Sequence, residues 1–120
     1  MSDKTELFFE KFEEDVEKMK QRAPDMAKGF GGLFQGVMKN GALGTKEKEL
    51  VALGIAVAQR CEPCINLHVK KCLEAGNSAA EVLEAACVAV VMQGGPAFTH
   101  IPAVLEALES LGANCESAKK

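Results

Sequence analysis

Apolar side chains recur at intervals of three and four residues along most of this chain, which is the spacing of one face of an α-helix. In residues 1–22 these positions are Leu7, Phe8, Phe12, Val16 and Met19. Glu and Lys side chains fill the opposite face. The segment is therefore predicted to form an acidic amphipathic helix that lies mostly in solvent and ends at Ala23-Pro24.

A second helix is predicted from about Pro24 to Lys39, and it contains four glycines. They are Gly29, Gly31, Gly32 and Gly36. Each glycine inside a helix costs on the order of 1 kcal/mol relative to alanine. Two interpretations remain open: the glycines allow close approach to another helix, a pocket or a second subunit, or the segment is a frayed helix.

Two later helices are predicted to be buried, because they are apolar on nearly every face. One runs from an N-cap at Thr45 to about Arg60. The other opens at the capping box Ser78-Ala79-Ala80-Glu81 and ends at Gly94-Gly95. Cys87 lies within it and is expected to be a small buried side chain.

A helix between these two is predicted to begin at Cys61 or Glu62 and to end at Gly76, a C-terminal cap signal. A last helix begins near Pro96 and is kinked or restarted at Pro102. The chain is thus expected to be an all-α bundle of about six helices.

The composition is that of a single domain of 120 residues, with a core at about 24–111 and a tail at 112–120. The hydrophobic fraction of 48% is slightly more than a small monomer hides, which favours an oligomer. The net charge of −3 argues against a nucleic-acid partner. We expect a cytoplasmic protein without a membrane partner, because neither a secretory signal nor an apolar run of about 20 residues is present.

The chemically distinctive stretch is Cys61-Glu62-Pro63-Cys64-Ile65-Asn66-Leu67-His68. In a helix that starts at Cys61, the spacing places Cys61, Cys64 and His68 on one stripe. Pro63 suits the first helical turn, and the helix N-terminus stabilises a thiolate there. Glu49, on the preceding antiparallel helix, is expected about 8 Å from the level of His68, a gap that both side chains and one water can span.

Three interpretations of this stretch compete. A redox dithiol would form and reopen a disulfide between Cys61 and Cys64 while His68 moves protons. A metal site or sensor would use Cys61, Cys64 and His68 as ligands, although zinc usually needs a fourth. A structural role would leave the cysteines as core fillers. An odd number of cysteines, five, in a chain without an export signal favours the redox interpretation.

The other candidate groups carry weaker signals. Cys72, Cys87 and Cys115 show no second CxxC spacing, and Cys115 is expected to be an exposed thiol of the tail without a catalytic role. His100 precedes the break at Pro102 and is expected to be a helix-end histidine.

The combination of Glu49 with the CxxC and His68 resembles the signature of AhpD-like proteins in the carboxymuconolactone decarboxylase superfamily. The resemblance continues through Gly76 and the stretch from Gly94 to Leu108, and covers roughly residues 40–111. It implies an all-α fold, homotrimers or homohexamers, and alkylhydroperoxidase-like or disulfide reductase chemistry without a bound cofactor. Members that act as lactone decarboxylases generally lack the CxxC, which ranks that activity low.

The resemblance also implies roles for the site residues. Cys64 would meet the peroxide, Cys61 would be the resolving thiol, and Glu49 with His68 would relay protons. The best-known peroxidases of the family carry another histidine between the two cysteines, where this sequence has Pro63. The shorter relay favours general thiol–disulfide exchange. The implied partners are a hydroperoxide or disulfide substrate and an external dithiol, such as a thioredoxin-like protein or a lipoyl group, as electron donor.

Overall fold

Seven helices follow one another along residues 3–113, the part of the chain that the computed structural model describes. They are α1 (Lys4–Arg22), α2 (Pro24–Met38), α3 (Thr45–Ala58), α4 (Glu62–Glu74), α5 (Ala79–Gln93), α6 (Gly95–Phe98) and α7 (Ile101–Ser110). Six are long, α6 is a single turn, and no strand occurs in the described range. The predicted all-α fold is confirmed, and the break expected near Pro102 separates α6 from α7.

Local signals set most helix ends where the sequence predicts them. Gly76 ends α4 with a φ of 102°, a conformation that glycine adopts without strain. Ser78 and Glu81 form the predicted capping box at the start of α5. The predicted N-cap at Thr45 is wrong by one residue, because Gly44 holds that position. The Thr45 hydroxyl instead donates a hydrogen bond of 2.6 Å to the carbonyl of Met38, which joins α3 to the end of α2.

The core lies where α3 packs against α4 and α5, and where α7 covers the other side of α4. Its largest fully buried side chains are Leu53, Val57, Ile65, Val69, Cys72, Val82, Val104 and Leu108. Removal of this apolar surface from water is the main favourable term in folding. Because α3 and α4 belong to this core, the side chains of Glu49 and His68 project from a rigid part of the bundle.

The prediction that α3 and α5 are buried on all sides is wrong. Val51 and Ile55 on α3, and Val88 and Val91 on α5, are each more than half exposed. Cys87 is exposed as well, contrary to its predicted burial. The reason is geometric: α3 and α5 pack side by side, so each buries one face against the core and turns an apolar second face to solvent.

Helix α2 is continuous but contributes no buried side chain. A Cβ added at any of its four glycines would meet nothing within 4 Å, so neither fraying nor a close approach within the described chain explains them. Lys48 anchors the end of α2 by donating to the carbonyls of Val37 and Lys39 at 2.8 and 2.7 Å. The face of α2 that carries Phe30 and Leu33 stays exposed.

Cys115 and the rest of the predicted tail beyond residue 113 lie outside the described residues. Among the helices of residues 3–113, none combines the length and the apolar character that crossing a bilayer requires.

Candidate functional site

A tight turn between α3 and α4 places the first cysteine. Arg60 has a φ of 57°, and its N–H donates to the carbonyl of Val57 at 3.0 Å. The next N–H, that of Cys61, reaches back to the carbonyl of Ala56 at 3.1 Å. These two bonds close the end of α3 in a Schellman motif. The chain therefore reverses within three residues, and Cys61 becomes the N-cap of α4.

The two cysteines of the CxxC form a disulfide at the N-terminus of α4. Cys61 and Cys64 are bonded through their sulfurs, and their Cα atoms are 5.2 Å apart. The backbone N–H of Cys64 also donates to the Cys61 sulfur at 3.3 Å. Pro63 occupies the first helical turn, as predicted, where its missing N–H leaves no hydrogen bond unmade. Both cysteines are only partly buried, so an external reagent can reach the pair.

Glu49 and His68 meet directly across the α3–α4 interface. His68 Nδ1 lies 2.8 Å from Glu49 Oε1, and the Glu49 residue is only 3% exposed. The sequence predicted that the two side chains could span the gap of about 8 Å in level between their positions, with room for one water, and they span it by direct contact. An ionised carboxylate only accepts, so Nδ1–H donates and Nε2 is left free to take a proton.

His68 is also one helical turn from Cys64 on the same face of α4, as the i, i+4 spacing predicts. The four predicted site residues, Glu49, Cys61, Cys64 and His68, therefore lie on the facing sides of α3 and α4 and at the turn that joins these helices, along what is called the site path below.

An aromatic side chain from α2 lies beside the site path. The rings of Phe34 and His68 are 6.1 Å apart between centroids, and the Lys71 ammonium lies 4.9 Å from the centre of the Phe34 ring. Phe34 was not predicted to belong to the site. Its place in the apolar pattern of α2 indicates that it packs against other side chains, but nothing in the sequence indicates that His68 is one of them.

Cys72 lies one turn beyond His68 on α4 and is completely buried. Burial, and secondarily the negative charge of Glu49, raise the pKa of its thiol from the ordinary value of 9.0 to about 12. The thiol is therefore protonated at neutral pH, and it fills apolar space beside the Glu49 carboxylate. This environment is that of an inert structural cysteine.

The metal-site interpretation finds no support in this geometry. Within residues 3–113, no three His, Cys, Asp or Glu side chains are arranged to hold an ion. The sulfurs of Cys61 and Cys64 are bonded to each other, and His68 Nδ1 is engaged by Glu49. His100 is the helix-end histidine that the sequence predicts, since it precedes α7 and its Nδ1 lies 2.8 Å from the carbonyl of Pro96.

Comparisons with known proteins agree with this architecture. The model of the carboxymuconolactone decarboxylase family matches residues 24–107. An uncharacterized protein of the cox locus of Paracoccus denitrificans is 33% identical over 82 residues, which cover 68% of this chain and 74% of that protein. An uncharacterized protein of Cupriavidus necator is 28% identical over 109 residues, which cover 79% of this chain and 96% of that protein.

Two solved structures share the fold. A carboxymuconolactone decarboxylase family protein from Legionella pneumophila superimposes with a TM-score of 0.85 at 35% identity, covering 90% of this chain and 96% of the other. One from Thermotoga maritima gives a TM-score of 0.76 at 34% identity, covering 87% and 88%. The family model spans most of the bundle, including every candidate site residue. The chain belongs to the carboxymuconolactone decarboxylase family.

Proposed function

We propose that this protein is a thiol-dependent oxidoreductase that reduces hydroperoxides or disulfides with the Cys61–Cys64 dithiol. The observation that carries the proposal is a CxxC disulfide at a helix N-terminus, one turn from a buried Glu49–His68 pair. A dithiol–disulfide pair supplies the two-electron chemistry, and the imidazole beside it supplies a group that can accept and donate a proton. The Thermotoga relative, which has been given a possible role in antioxidative response, is consistent with this chemistry.

The proposed cycle starts from the reduced dithiol. His68 Nε2 takes the proton of Cys64, and the thiolate attacks the terminal oxygen of the hydroperoxide. The O–O bond breaks, the leaving oxygen takes a proton to give an alcohol, and Cys64 becomes a sulfenic acid. The Cys61 thiol then attacks the Cys64 sulfur, which releases water and leaves the disulfide. An external dithiol returns two electrons and two protons.

Glu49 has a positioning role in this cycle. Its carboxylate holds His68 in the tautomer that carries the proton on Nδ1, so Nε2 is free to act as the base. It also stabilises the imidazolium that forms when Nε2 takes the proton. With a disulfide as substrate, the Cys64 thiolate attacks one substrate sulfur, the substrate S–S bond breaks and one thiol leaves. Cys61 then attacks the Cys64 sulfur of the mixed disulfide, which releases the second thiol and leaves the Cys61–Cys64 disulfide.

The test is a titration of anaerobically reduced protein with one equivalent of an organic hydroperoxide, followed by intact mass and free-thiol count. We expect the loss of two thiols and two mass units. In a Cys61→Ser variant, a sulfenate on Cys64 should be trapped, and Cys64→Ser should not react. The matched control is Cys87→Ser, which removes an exposed thiol far from the disulfide in sequence and should behave as wild type.

Four results would redirect or refute the proposal. Slow reaction with hydroperoxide beside fast exchange with a model disulfide would identify a disulfide reductase and assign the loss of peroxidase activity to Pro63. Normal turnover by Cys64→Ser would refute the mechanism. Stoichiometric zinc or iron in protein purified without chelator would favour the metal-binding alternative, and unreactive thiols would favour a family member that retains the fold without this activity.

We also propose that the protein works as a homo-oligomer, a trimer or a hexamer. The support is the large share of apolar side chains that a single chain leaves in solvent, on α2, α3 and α5.

A further inference from the structure

The side chain of Asn77 joins the two helices that carry the proton relay. Its Nδ2 donates to the carbonyl of Lys46, in the first turn of α3, at 3.0 Å, and to the carbonyl of Cys72, near the end of α4, at 3.2 Å. The residue is 5% exposed. The geometry points to Asn77 as the positioning residue that holds Glu49 against His68, an inference that rests on the proposed function for its catalytic consequence.

The amide bridge lies about one helical turn from the Glu49–His68 hydrogen bond. Lys46 precedes Glu49 by three residues on α3, and Cys72 follows His68 by four residues on α4. Because the two helices are antiparallel, both steps lead in the same direction along the bundle, by roughly 5 Å. The Cys72 side chain is completely buried, and on a helix it leans toward the N-terminus, here toward His68. Two cross-links at different levels prevent α3 from sliding or rotating against α4, which a single hydrogen bond does not.

The orientation of the Asn77 amide follows from its partners. Both are carbonyl oxygens, which only accept hydrogen bonds, so the NH₂ group must face them. Asn77 Oδ1 then points away and has no hydrogen-bond partner among the described residues. A buried, unpaired carbonyl oxygen destabilises the folded state. An apolar side chain of similar size would avoid the unpaired oxygen. The presence of an amide at this position is therefore explained by the two hydrogen bonds that it donates between the helices.

The test replaces Asn77 with leucine, which has a similar volume, donates no hydrogen bond and removes the unpaired oxygen. The backbone bond from the N–H of residue 77 to the carbonyl of Cys72, 3.0 Å, is retained. The matched control is Asn40→Leu: the Asn40 Oδ1 accepts from the N–H of Thr45 at 2.8 Å, so it touches the same end of α3 but not α4.

The first readout is the proton on His68 Nδ1, observed by NMR in the oxidised protein. In wild type and Asn40→Leu we expect it to exchange slowly with solvent, because it is bonded to a buried carboxylate. In Asn77→Leu we expect its exchange to accelerate about tenfold or more, since a shift of about 1 Å breaks a hydrogen bond of this kind. An unchanged exchange rate in Asn77→Leu would overturn the inference, whether or not the protein reduces hydroperoxides.

The second readout is the rate of Cys64 oxidation by an organic hydroperoxide. Asn77→Leu is expected to lower it about tenfold, because small displacements of catalytic groups carry large rate penalties. In a Glu49→Gln background the same substitution should have no further effect, since Asn77 acts through Glu49. If Asn77→Leu lowers the oxidation rate by the same factor in the Glu49→Gln background as in wild type, Asn77 has only a structural role and the inference is overturned. If the leucine variant does not fold, Asn77→Ala provides the same comparisons.

A wild-type protein that ignores hydroperoxide and model disulfides alike would refute the proposed function alone. The exchange rate of the His68 proton would still decide whether Asn77 sets the Glu49–His68 contact.

Discussion

The cysteines of residues 3–113 differ in chemistry because their surroundings differ. Cys61 and Cys64 form a partly exposed disulfide at a helix N-terminus. Cys72 is buried in apolar surroundings beside a carboxylate, and Cys87 lies on the exposed face of α5. Residue type alone does not separate these roles. The solvent exposure of each sulfur and the charges around it do.

Cys72 is predicted to resist thiol reagents that label Cys87 readily. With a pKa of about 12, only about one Cys72 thiol in ten thousand is ionised at pH 8, and the side chain is completely buried. The measurement is labelling of oxidised protein by a maleimide at pH 8, in a background of Cys115→Ser and Val91→Glu, which keeps the α5 face that carries Cys87 out of the proposed subunit contact. We expect rapid labelling at Cys87 and labelling at Cys72 only when the protein unfolds. Rapid labelling at both sites would contradict the buried environment of Cys72.

The same pKa shift predicts how folding stability depends on alkaline pH. The unfolded chain loses the Cys72 proton near pH 9, whereas the folded protein keeps it until about pH 12. Between these values the unfolded state binds fewer protons, so Cys72 lowers the free energy of unfolding as pH rises. Urea midpoints measured at pH 8, 9 and 10 should therefore fall less steeply for Cys72→Val than for wild type. Equal slopes would show that the thiol titrates normally in the folded state.

At the scale of elements, a Schellman motif lies at each end of α4: one ends α3 just before α4 begins, and the other ends α4 itself. At the end of α3, Arg60 has a positive φ and Cys61 follows it. At the end of α4, Gly76 has a positive φ and Asn77 follows it. In both turns, the N–H of the second residue, Cys61 or Asn77, bonds to a carbonyl in the last turn of the preceding helix. The side chain of that residue therefore projects into the junction with the following helix. One of these side chains carries the disulfide, and the other carries the proposed bridge between α3 and α4.

The capping box at the start of α5 is predicted to contribute to stability. The Ser78 hydroxyl accepts from the N–H of Glu81 at 3.1 Å, and the Glu81 carboxylate accepts from the N–H of Ser78 at 2.8 Å. Ser78→Ala is expected to lower the free energy of unfolding by about 1 kcal/mol. Urea denaturation measures this change. The control, Ser78→Asp, restores a side-chain acceptor and should recover most of the loss; if both variants lose the same amount, the cap is not the cause.

Helix number and most helix ends could be predicted from the sequence, because they depend on local signals. The proline and glycine punctuation, the Ser78–Glu81 box and the i, i+4 spacing of Cys64 and His68 act over a few residues. The CxxC at a helix N-terminus was predictable for the same reason.

Contacts between helices could not be predicted in the same way. The direct Glu49–His68 bond, the ring of Phe34 beside His68 and the bridge from Asn77 all depend on how helices rotate against one another. The exposure of Cys87 depends on which face of α5 meets the core. Helical periodicity shows that a face is apolar, but it does not show which partner covers that face.

At the scale of the whole molecule, two apolar surfaces formed by residues 3–113 remain in solvent. One is the exposed face of α2. The other is a groove of about 420 Å³ between α3 and α5, whose lining residues are Leu50, Val51, Gly54, Ile55, Ala58, Ala85, Val88, Ala89 and Met92. None of them is charged. Uninterrupted apolar surface of this kind is typical of subunit contacts.

A charge placed beside the α3–α5 groove is predicted to weaken the proposed homo-oligomer. Val91 is 83% exposed in the single chain, so Val91→Glu should fold normally as a monomer but resist burial at a subunit contact. Light scattering coupled to gel filtration measures the mass. The control, Gln21→Glu, adds the same charge at the exposed end of α1 and should keep the wild-type mass. A monomeric wild type would refute the oligomer, and an unchanged mass for Val91→Glu would place its contacts elsewhere.

Through the proposed oligomer, the position of Phe34 would link the proposed active site to the protein's own concentration. Its ring lies beside His68, yet it belongs to α2, which buries no side chain in a single copy. If neighbouring copies cover the outer face of α2, they also steady the ring at the site. Turnover per molecule should then decline on dilution and recover on reconcentration, so rates compared between laboratories need the enzyme concentration stated.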